Sequence, residues 1–473
     1  MMGEGVFAGA IECSLDEVLA FREEKARRQE TLLAEFGVPL LCLGLNMPGE
    51  FKRFFLADCS FREELNAVRV GLTAEGIGIV HEEIFESAGG SAGFVSAEAD
   101  AERLKEIAQL IEDTHTLGRL FDIDVLKRNG EKISRKDAGA PGRTCLICGN
   151  DAFVCGRSRA HGAAELRNAA ADIMLGFRRE NVVDLAAGAA LRALMTEAAI
   201  TPKPGLVDRA NNGAHRDMDF FSFIDSTAAI IPYFRNCAGE GFDAALAPPE
   251  AIMGLPPSDP AHPAALFKRL RPGGKIAELA MRRASGGANT HRGLIFSMGL
   301  AGAAFGAFSR YREKIEAGDI LSFISAMTCR ITDDFAGSGK DGPSHGETIH
   351  RRYGIGGVRD EARRGFPAVR DYALPALRRA LAAGQSLNDA GLTAFFHLLG
   401  VASDTNIIHR SSAETLAAIQ KDTAAFLAAR PGPQETRDYA AKLDSEFIAK
   451  NISPGGCADL LALSLFLHWL CAD

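Results

Sequence analysis

Two periodicities alternate along the first part of the chain. Ser14-Leu15-Asp16-Glu17 sets a hydroxyl before a first turn and a carboxylate three residues later, the two halves of a capping box. Gly37 stands where the helix so opened would end. After Val38-Pro39 the apolar run 40–45 predicts a strand, and 77–85 predicts a second. Residues 99–115 are amphipathic at helical spacing. Residues 117–127 alternate apolar and polar positions, Asn129-Gly130 follows, and 131–135 resumes the alternation, so the pair predicts a hairpin. Beyond about residue 180 the texture changes. The alanine-rich stretch NVVDLAAGAALRALMTEAA predicts a helix, stopped by Thr201-Pro202-Lys203-Pro204-Gly205, a loop two prolines keep non-helical. Later helical stretches are separated by Gly/Pro loops such as LAPPEAIMGLPPSDPAHPA, and period-2 runs are few. The expectation is a multidomain chain: an α+β domain over residues 1–178 and an all-α domain over 179–473, dividing between 172 and 184.

One segment tests the membrane question. Residues 293–309 carry no charge, but 17 residues fall short of the roughly 20 a bilayer span needs. Gly299, Gly302 and Gly306 share one helical face, which predicts a buried helix that another backbone approaches closely. The 473 residues are 47% hydrophobic and 24% charged, which excludes wholesale disorder. A net charge of -8 leaves no global electrostatic footprint for nucleic acid. Ten cysteines in this length make no disulfide scaffold. The first residues carry acids early and no positively charged leader, so the expectation is a reducing, cytoplasmic setting without membrane or nucleic-acid partners.

Chemistry in the first half centres on GRLFDIDVLKRNG. On a strand, Asp122 and Asp124 face one side while Phe121, Ile123 and Val125 face the core. Two such carboxylates suit Mg²⁺, which takes oxygen ligands and leaves room for phosphates; the plain alternative is a half-exposed strand. Between residues 119 and 159 nine basic residues outnumber five acids. Arg119, Arg135, Arg143, Arg157 and Arg159 are therefore expected to bind a polyphosphate. Cys145, Cys148, Cys155 and His161 have the chemistry of a zinc set, a redox pair or buried structural thiols.

LGLNMPGEFK, GRLFDIDVL, ISRKDAGAPGRTCLIC and CGRSRAHGAAEL together resemble the citrate lyase holo-acyl-carrier-protein synthase family. The resemblance covers most of residues 10–178 and implies a nucleotidyltransferase-like domain. It also implies transfer of a phosphoribosyl-dephospho-CoA group to a serine of the acyl carrier protein (γ) subunit of citrate lyase, with release of pyrophosphate.

In the second half, Lys203, Asp208, Asn211, His215, Asp217 and Asp219 crowd into a loop and the first turn of a helix. Acids there also suit a helix dipole, but that accounts for one or two of them. Asn289-Thr290-His291-Arg292 precedes the glycine-rich helix, where free N–H groups attract anions or where Asn merely caps. The glycine-rich loop 338–367 carries Ser344, His345, Glu347 and Arg351 without a Walker A pattern, and Asp404, Asn406 and Arg410 form a smaller set. TPKPGLVDRANNGAHRDMD, NTHRGLIFSMG, SHGE, YGIGGVRDEARRGFP, SDTN and ISPGGCADLL follow in the order of the triphosphoribosyl-dephospho-CoA synthase family, which the chain resembles over about 185–473. Arg292 stands where Lys is as common, and Asp360 where Gly is expected.

That resemblance implies that ATP gives its 5-triphosphoribosyl group to the ribose 2′-hydroxyl of 3′-dephospho-CoA, with adenine leaving. The expected roles are His215, Asp217 and Asp219 in catalysis, with the two acids as the alternative Mg²⁺ ligands. Lys203, Arg292 and the 338–352 loop would hold triphosphate, and Asp208, Asn211, Asn289, His291, Asp404 and Asn406 would bind nucleotide. The two activities read as one fused enzyme serving citrate lyase. Service to malonate decarboxylase, or a synthase with a degenerate zinc-binding N-terminal module, are the alternatives.

Overall fold

The computed structural model describes residues 6–7, 10–135, 142–331 and 356–471. The chain divides into two compact units, Met1–Arg178 and Arg179–Asp473. Ser344, His345, Glu347 and Arg351 lie outside the described residues.

In the first unit, α1 (Leu15–Phe36) starts where the capping box predicts. The Glu17 N–H donates to Ser14 Oγ (3.3 Å) and the Ser14 N–H to Glu17 Oε2 (2.8 Å), and Gly37 closes the helix at φ 64°. Strand β1 (Leu40–Gly44) is buried throughout, because it lies in the middle of the sheet with both faces covered. α2 (Phe55–Ala74) follows, then β2 (Ile79–Ser87), β3 (Gly90–Ala97), α3 (Ala101–Thr114), β4 (Asp124–Leu126) and β5 (Lys132–Ile133). Among the described residues the strands form one antiparallel sheet in the order β2-β3-β1-β4-β5. Leu41, Leu43, Val95 and Val125 point into a core built with α2 and α3, while Leu40, Cys42, Phe94 and Leu126 meet α1.

The predicted hairpin exists in shortened form. Lys127 N–H donates to Glu131 O (2.8 Å) across the Asn129-Gly130 turn, and only 124–126 and 132–133 are strand. Strand β3 was not anticipated. Its sequence GSAGFVSA is small and weakly alternating, and it becomes a strand because β1 and β2 supply its partners on either side. After β5 come α4 (Ala152–Ser158) and α5 (Ala163–Ala199). The division between the units falls inside α5, so no loop marks it.

The second unit is helical among the described residues: α6 (Phe220–Ala244), α7 (Pro249–Met253), α8 (Pro263–Ala284), α9 (Arg292–Ser309), α10 (Ala317–Met327) and further helices to Leu470. α9 is long and apolar enough to cross a membrane, yet most of it is buried inside the unit. Its glycine face meets α6. A Cβ on Gly306 would sit 2.0 Å from the Ala238 carbonyl oxygen, so only glycine permits that approach.

Candidate active sites

The first unit holds a cavity of about 760 Å³ whose lining includes Arg119, Arg135, Arg143, Arg159 and Glu112. Glu112, on α3, organises it. Its buried carboxylate accepts from the Ile123 N–H (3.0 Å), from Arg143 Nη2 (2.6 Å) and from Arg135. Sequence reasoning missed Glu112. Its one signal is position: an acid at a core-facing place on an amphipathic helix, which needs buried partners. Arg119 Nη2 donates to Thr144 O (2.6 Å). Arg157 does not join them; it lies over the Phe153 ring (4.6 Å), outside the cavity lining.

The alternation of the strand places Phe121, Ile123 and Val125 in the core and turns both acids away from it. The acids have different partners, however. Asp122 Oδ1 is 3.4 Å from Arg143 Nη2, and Asp124 Oδ1 is 2.6 Å from Lys132 Nζ. Asp122 also lines a smaller cavity of about 270 Å³ with Arg22, Lys25, Asn46 and Lys52. Its N–H donates to Glu64 Oε1 (3.1 Å), while Glu64 Oε2 is buried without a hydrogen-bond partner. Burial pushes the Glu64 carboxyl well above the usual carboxylate range.

Cys145, Cys148, Cys155 and His161 converge beside the larger cavity, their ligand atoms all within 4.8 Å of one another. A hydrogen bond with His161 holds the Cys148 thiol down at about 6, and the neighbouring Cys148 pushes Cys155 up to about 12.

In the second unit two cavities, of about 460 and 220 Å³, share Asn289, Arg292, Gly293, Asn406 and Asp459 in their linings. The larger adds Arg282, Arg359 and Asp404; the smaller adds Lys203, His215, Asp217 and Arg410. Segments far apart in sequence thus meet around one space.

Within that space the side chains have unequal tasks. Arg410 Nη2 lies 3.3 Å from His215 Nδ1, and an arginine only donates, so Nδ1 accepts and Nε2–H donates to Ser453 Oγ (2.8 Å). Burial, with Arg410 beside it, lowers His215 to about 4. Asp217 is 65% exposed, and its Oδ1 is 3.9 Å from His215 Nδ1. Lys203, expected to hold triphosphate, is instead buried; its Nζ donates to Glu197 O (2.7 Å) and to the Glu197 carboxylate. Asp208 folds the loop by accepting from the N–H groups of Lys203 (2.9 Å), Ala210 (2.6 Å) and Asn211 (3.1 Å). Asn211 donates to Asp444 Oδ2 (2.9 Å). Asp219 is the N-cap of α6, accepting from the Ser222 N–H (2.8 Å), and lies outside both cavity linings. The capping alternative therefore describes its contacts.

His291 is buried behind the start of α9, its Nε2 3.1 Å from Thr227 Oγ1, and burial lowers it to about 4. Asn289 Oδ1 accepts from the Arg292 N–H (3.3 Å), and Arg292 Nε is 3.2 Å from Glu278. Asp404 caps the helix Thr405–Arg410 through the N–H groups of Asn406 (2.8 Å) and Ile407 (3.2 Å), and accepts from the Cys457 N–H (2.9 Å) of the helix Gly455–Leu470. Asp360 pairs with Arg363 and Arg364, both at 3.0 Å, which occupies the departure from the expected glycine in a surface ion cluster.

Asp459 was missed. It sits where the two cavities meet, and burial together with Glu197 and Asp404 pushes its carboxyl well above the usual range. Its signal was available, since it is the one acid in GGCADLLALSLFLHWL, an otherwise apolar helix.

A family model described as Apo-citrate lyase phosphoribosyl-dephospho-CoA transferase (CitX) matches residues 13–176. One described as ATP:dephospho-CoA triphosphoribosyl transferase (CitG) matches residues 184–473. The protein CitXG of Haemophilus influenzae is 30% identical, over 96% of this chain and 95% of its own length. The protein CitXG of Leuconostoc mesenteroides is 31% identical, over 98% of each. The 2-(5''-triphosphoribosyl)-3'-dephosphocoenzyme-A synthase of Klebsiella pneumoniae is 38% identical over 58% of this chain and 87% of its own. With both models matched in succession and full-length relatives built the same way, the chain belongs to the family of fused CitX–CitG transferases.

Proposed function

We propose that the second unit makes 2′-(5″-triphosphoribosyl)-3′-dephospho-CoA from ATP and 3′-dephospho-CoA in its paired cavities, and that the first unit attaches the product to apo-citrate lyase. The observation that carries the reading is the junction at Asn289, Arg292, Asn406 and Asp459. It joins a cavity lined by Arg282, Arg292 and Arg359 to one lined by His215, Asp217 and Arg410, with Asp459 in both linings. The chain is a bifunctional transferase for citrate lyase prosthetic-group synthesis. The CitX match favours citrate lyase over malonate decarboxylase.

In the first reaction the 2′-hydroxyl oxygen bonds to C1″ of the ATP ribose as the bond from C1″ to adenine breaks. The transition state resembles an oxocarbenium ion, so carboxylates near C1″ stabilise it. Asp217, the exposed carboxylate of the smaller cavity, takes the hydroxyl proton. Asp459, whose carboxyl burial shifts toward the protonated form, gives a proton to the departing adenine. His215 holds Ser453 and Arg410 in register through its two ring nitrogens. Arg282, Arg292 and Arg359 receive the triphosphate in the larger cavity.

In the second reaction, of nucleotidyltransferase type, a serine hydroxyl of the acyl carrier protein (γ) subunit attacks the α-phosphate and pyrophosphate leaves. Arg119, Arg135, Arg143 and Arg159 bind the phosphates, and Glu112 holds two of these arginines in place. Asp122 is half-exposed and only 3.4 Å from Arg143, its N–H rests on Glu64, whose Oε2 is orphaned, and Asp124 is held closer by Lys132 at 2.6 Å, so Asp122 would be the residue to hold Mg²⁺ in this unit. Bound there, Mg²⁺ supplies neutralisation of the leaving pyrophosphate.

The test incubates apo-carrier protein with ATP, dephospho-CoA, Mg²⁺ and this protein, and follows adenine by chromatography and the carrier by mass spectrometry. Adenine release that requires dephospho-CoA, with the prosthetic-group mass on one serine, supports the reading. No adduct, with purified triphosphoribosyl-dephospho-CoA also supplied, sinks the second half of it.

A further inference from the structure

Cys145, Cys148, Cys155 and His161 take no part in the chemistry above, yet the chain brings them together from a 17-residue stretch. The local backbone does this in two steps. A bridge between Thr144 and Asp151, with the Cys145 N–H donating to Asn150 O (2.6 Å) and the Gly149 N–H to Cys145 O (3.3 Å), sets Cys145 and Cys148 side by side on a tight turn. Gly149 makes the turn at φ 73°. Helix α4 then carries Cys155, and Arg159 at φ 49° reverses the chain so that His161 returns to the thiols.

We propose that these four residues form a structural zinc site that holds the segment 142–162 in place as one wall of the arginine-lined cavity.

Three observations support it. First, the donor set is Cys₃His. With zinc–sulfur bonds of about 2.3 Å and zinc–nitrogen bonds of about 2.0 Å, the ligand atoms of a tetrahedral Cys₃His site stand roughly 3.5–3.8 Å apart. The four ligand atoms here lie within 4.8 Å of one another, and the Cys148 and Cys155 sulfurs are 3.4 Å apart. Second, His161 Nε2 is buried and finds no hydrogen-bond partner, a cost that its coordination to a cation would remove. A disulfide between Cys148 and Cys155 would use two of the four groups and leave His161 as it is.

Third, the segment has almost no apolar core of its own. Cys145 is its one buried residue, α4 buries none, and Phe153 and Val154 are 67% and 61% exposed. A short piece of chain with so little buried surface is ordered by a staple, and a structural metal is one. Four protein ligands close the coordination shell, which fits a structural ion rather than a catalytic one. Binding displaces the thiol protons, so the ion is held as a thiolate complex. The wall matters because Arg143, Thr144 and Arg159 lie on it and face the cavity.

The experiment uses the full-length protein, purified with a reductant and without chelators from zinc-supplied cells. Elemental analysis should find about one zinc ion per chain. Cobalt exchanged into the site should show a sulfur-to-cobalt charge-transfer band. Cys148→Ser, a ligand outside the cavity lining, should lose both signals and expose 142–162 to protease. Cys13→Ser should keep both. If Cys148→Ser does not stay soluble, the pair His161→Cys and His161→Ala decides: the first retains zinc and the second loses it. A wild-type protein without zinc above background, equal zinc in Cys148→Ser, or a Cys148–Cys155 disulfide in anaerobically prepared protein would each overturn the proposal.

Discussion

A methyl group added at Gly293 tests whether Asp459 belongs to the reaction. Gly293 lies in the first turn of α9, directly against the carboxyl of Asp459. A Cβ built there would sit 1.8 Å from Asp459 Oδ2 and 2.7 Å from its Cγ. That is far inside contact distance, and the clash is with a short side chain on a packed helix, so Asp459 has to turn away from the cavity junction. Overpacking of this kind costs about 1–3 kcal/mol of stability, which a domain of this size survives. Loss of a positioned proton donor costs about 10²–10⁴-fold in rate. Gly293→Ala is therefore expected to fold, to melt a few degrees lower, and to release adenine at least about 100-fold more slowly. Gly302→Ala on the same helix is the control. Its Cβ would meet nothing nearer than Phe234 O at 3.8 Å, and alanine favours helix over glycine by about 0.5–1 kcal/mol, so it should be active and no less stable. The assay is adenine release from ATP with dephospho-CoA present, alongside thermal melting of both variants. Gly293→Ala within threefold of wild type, with an unchanged melting point, would falsify the role given to Asp459.

Other outcomes follow from the same geometry. Asp122→Asn should stop labelling of the carrier protein by at least about 100-fold while adenine is still released, read by mass spectrometry and chromatography on one reaction; equal labelling would make Asp122 a surface residue. Asp219→Asn should leave adenine release within about threefold, because asparagine caps a helix as well as aspartate does; a loss near 100-fold would return Asp219 to the site. Lys203→Met should lower stability by about 3–5 kcal/mol in denaturant melts, since it strands Glu197 in the interior. His215 and His291, both held to about 4, resist a proton that the unfolded chain accepts near pH 6.5. Stability should therefore be unaffected by them above that pH and fall as the pH drops from about 6.5 to about 4; a His215→Gln, His291→Gln double variant should flatten that fall.

The chain's local chemistry already contained much of this molecule. The Ser14–Glu17 box and Gly37 mark the ends of α1, Asn129-Gly130 marks a turn, and the glycines of 293–309 mark a helix that another backbone approaches. Each rests on atoms a few residues apart, so each is legible without knowing the fold. The same holds for the alternation that turns Asp122 and Asp124 away from the core, and for the ordered motifs that carry the family resemblance. What the sequence could not supply was the partner of each polar group. Lys203 looks like a phosphate ligand until Glu197 is found against it, and Asp219 looks catalytic until Ser222 takes its oxygen. Glu112 and Asp459 look ordinary until α3 and the helix Gly455–Leu470 carry them into cavities. Strand β3 is a strand because β1 and β2 stand on either side of it. A carboxylate or an ammonium group takes its role from whichever opposite charge or buried wall lies within a few ångströms. Only packing between distant segments decides that neighbour.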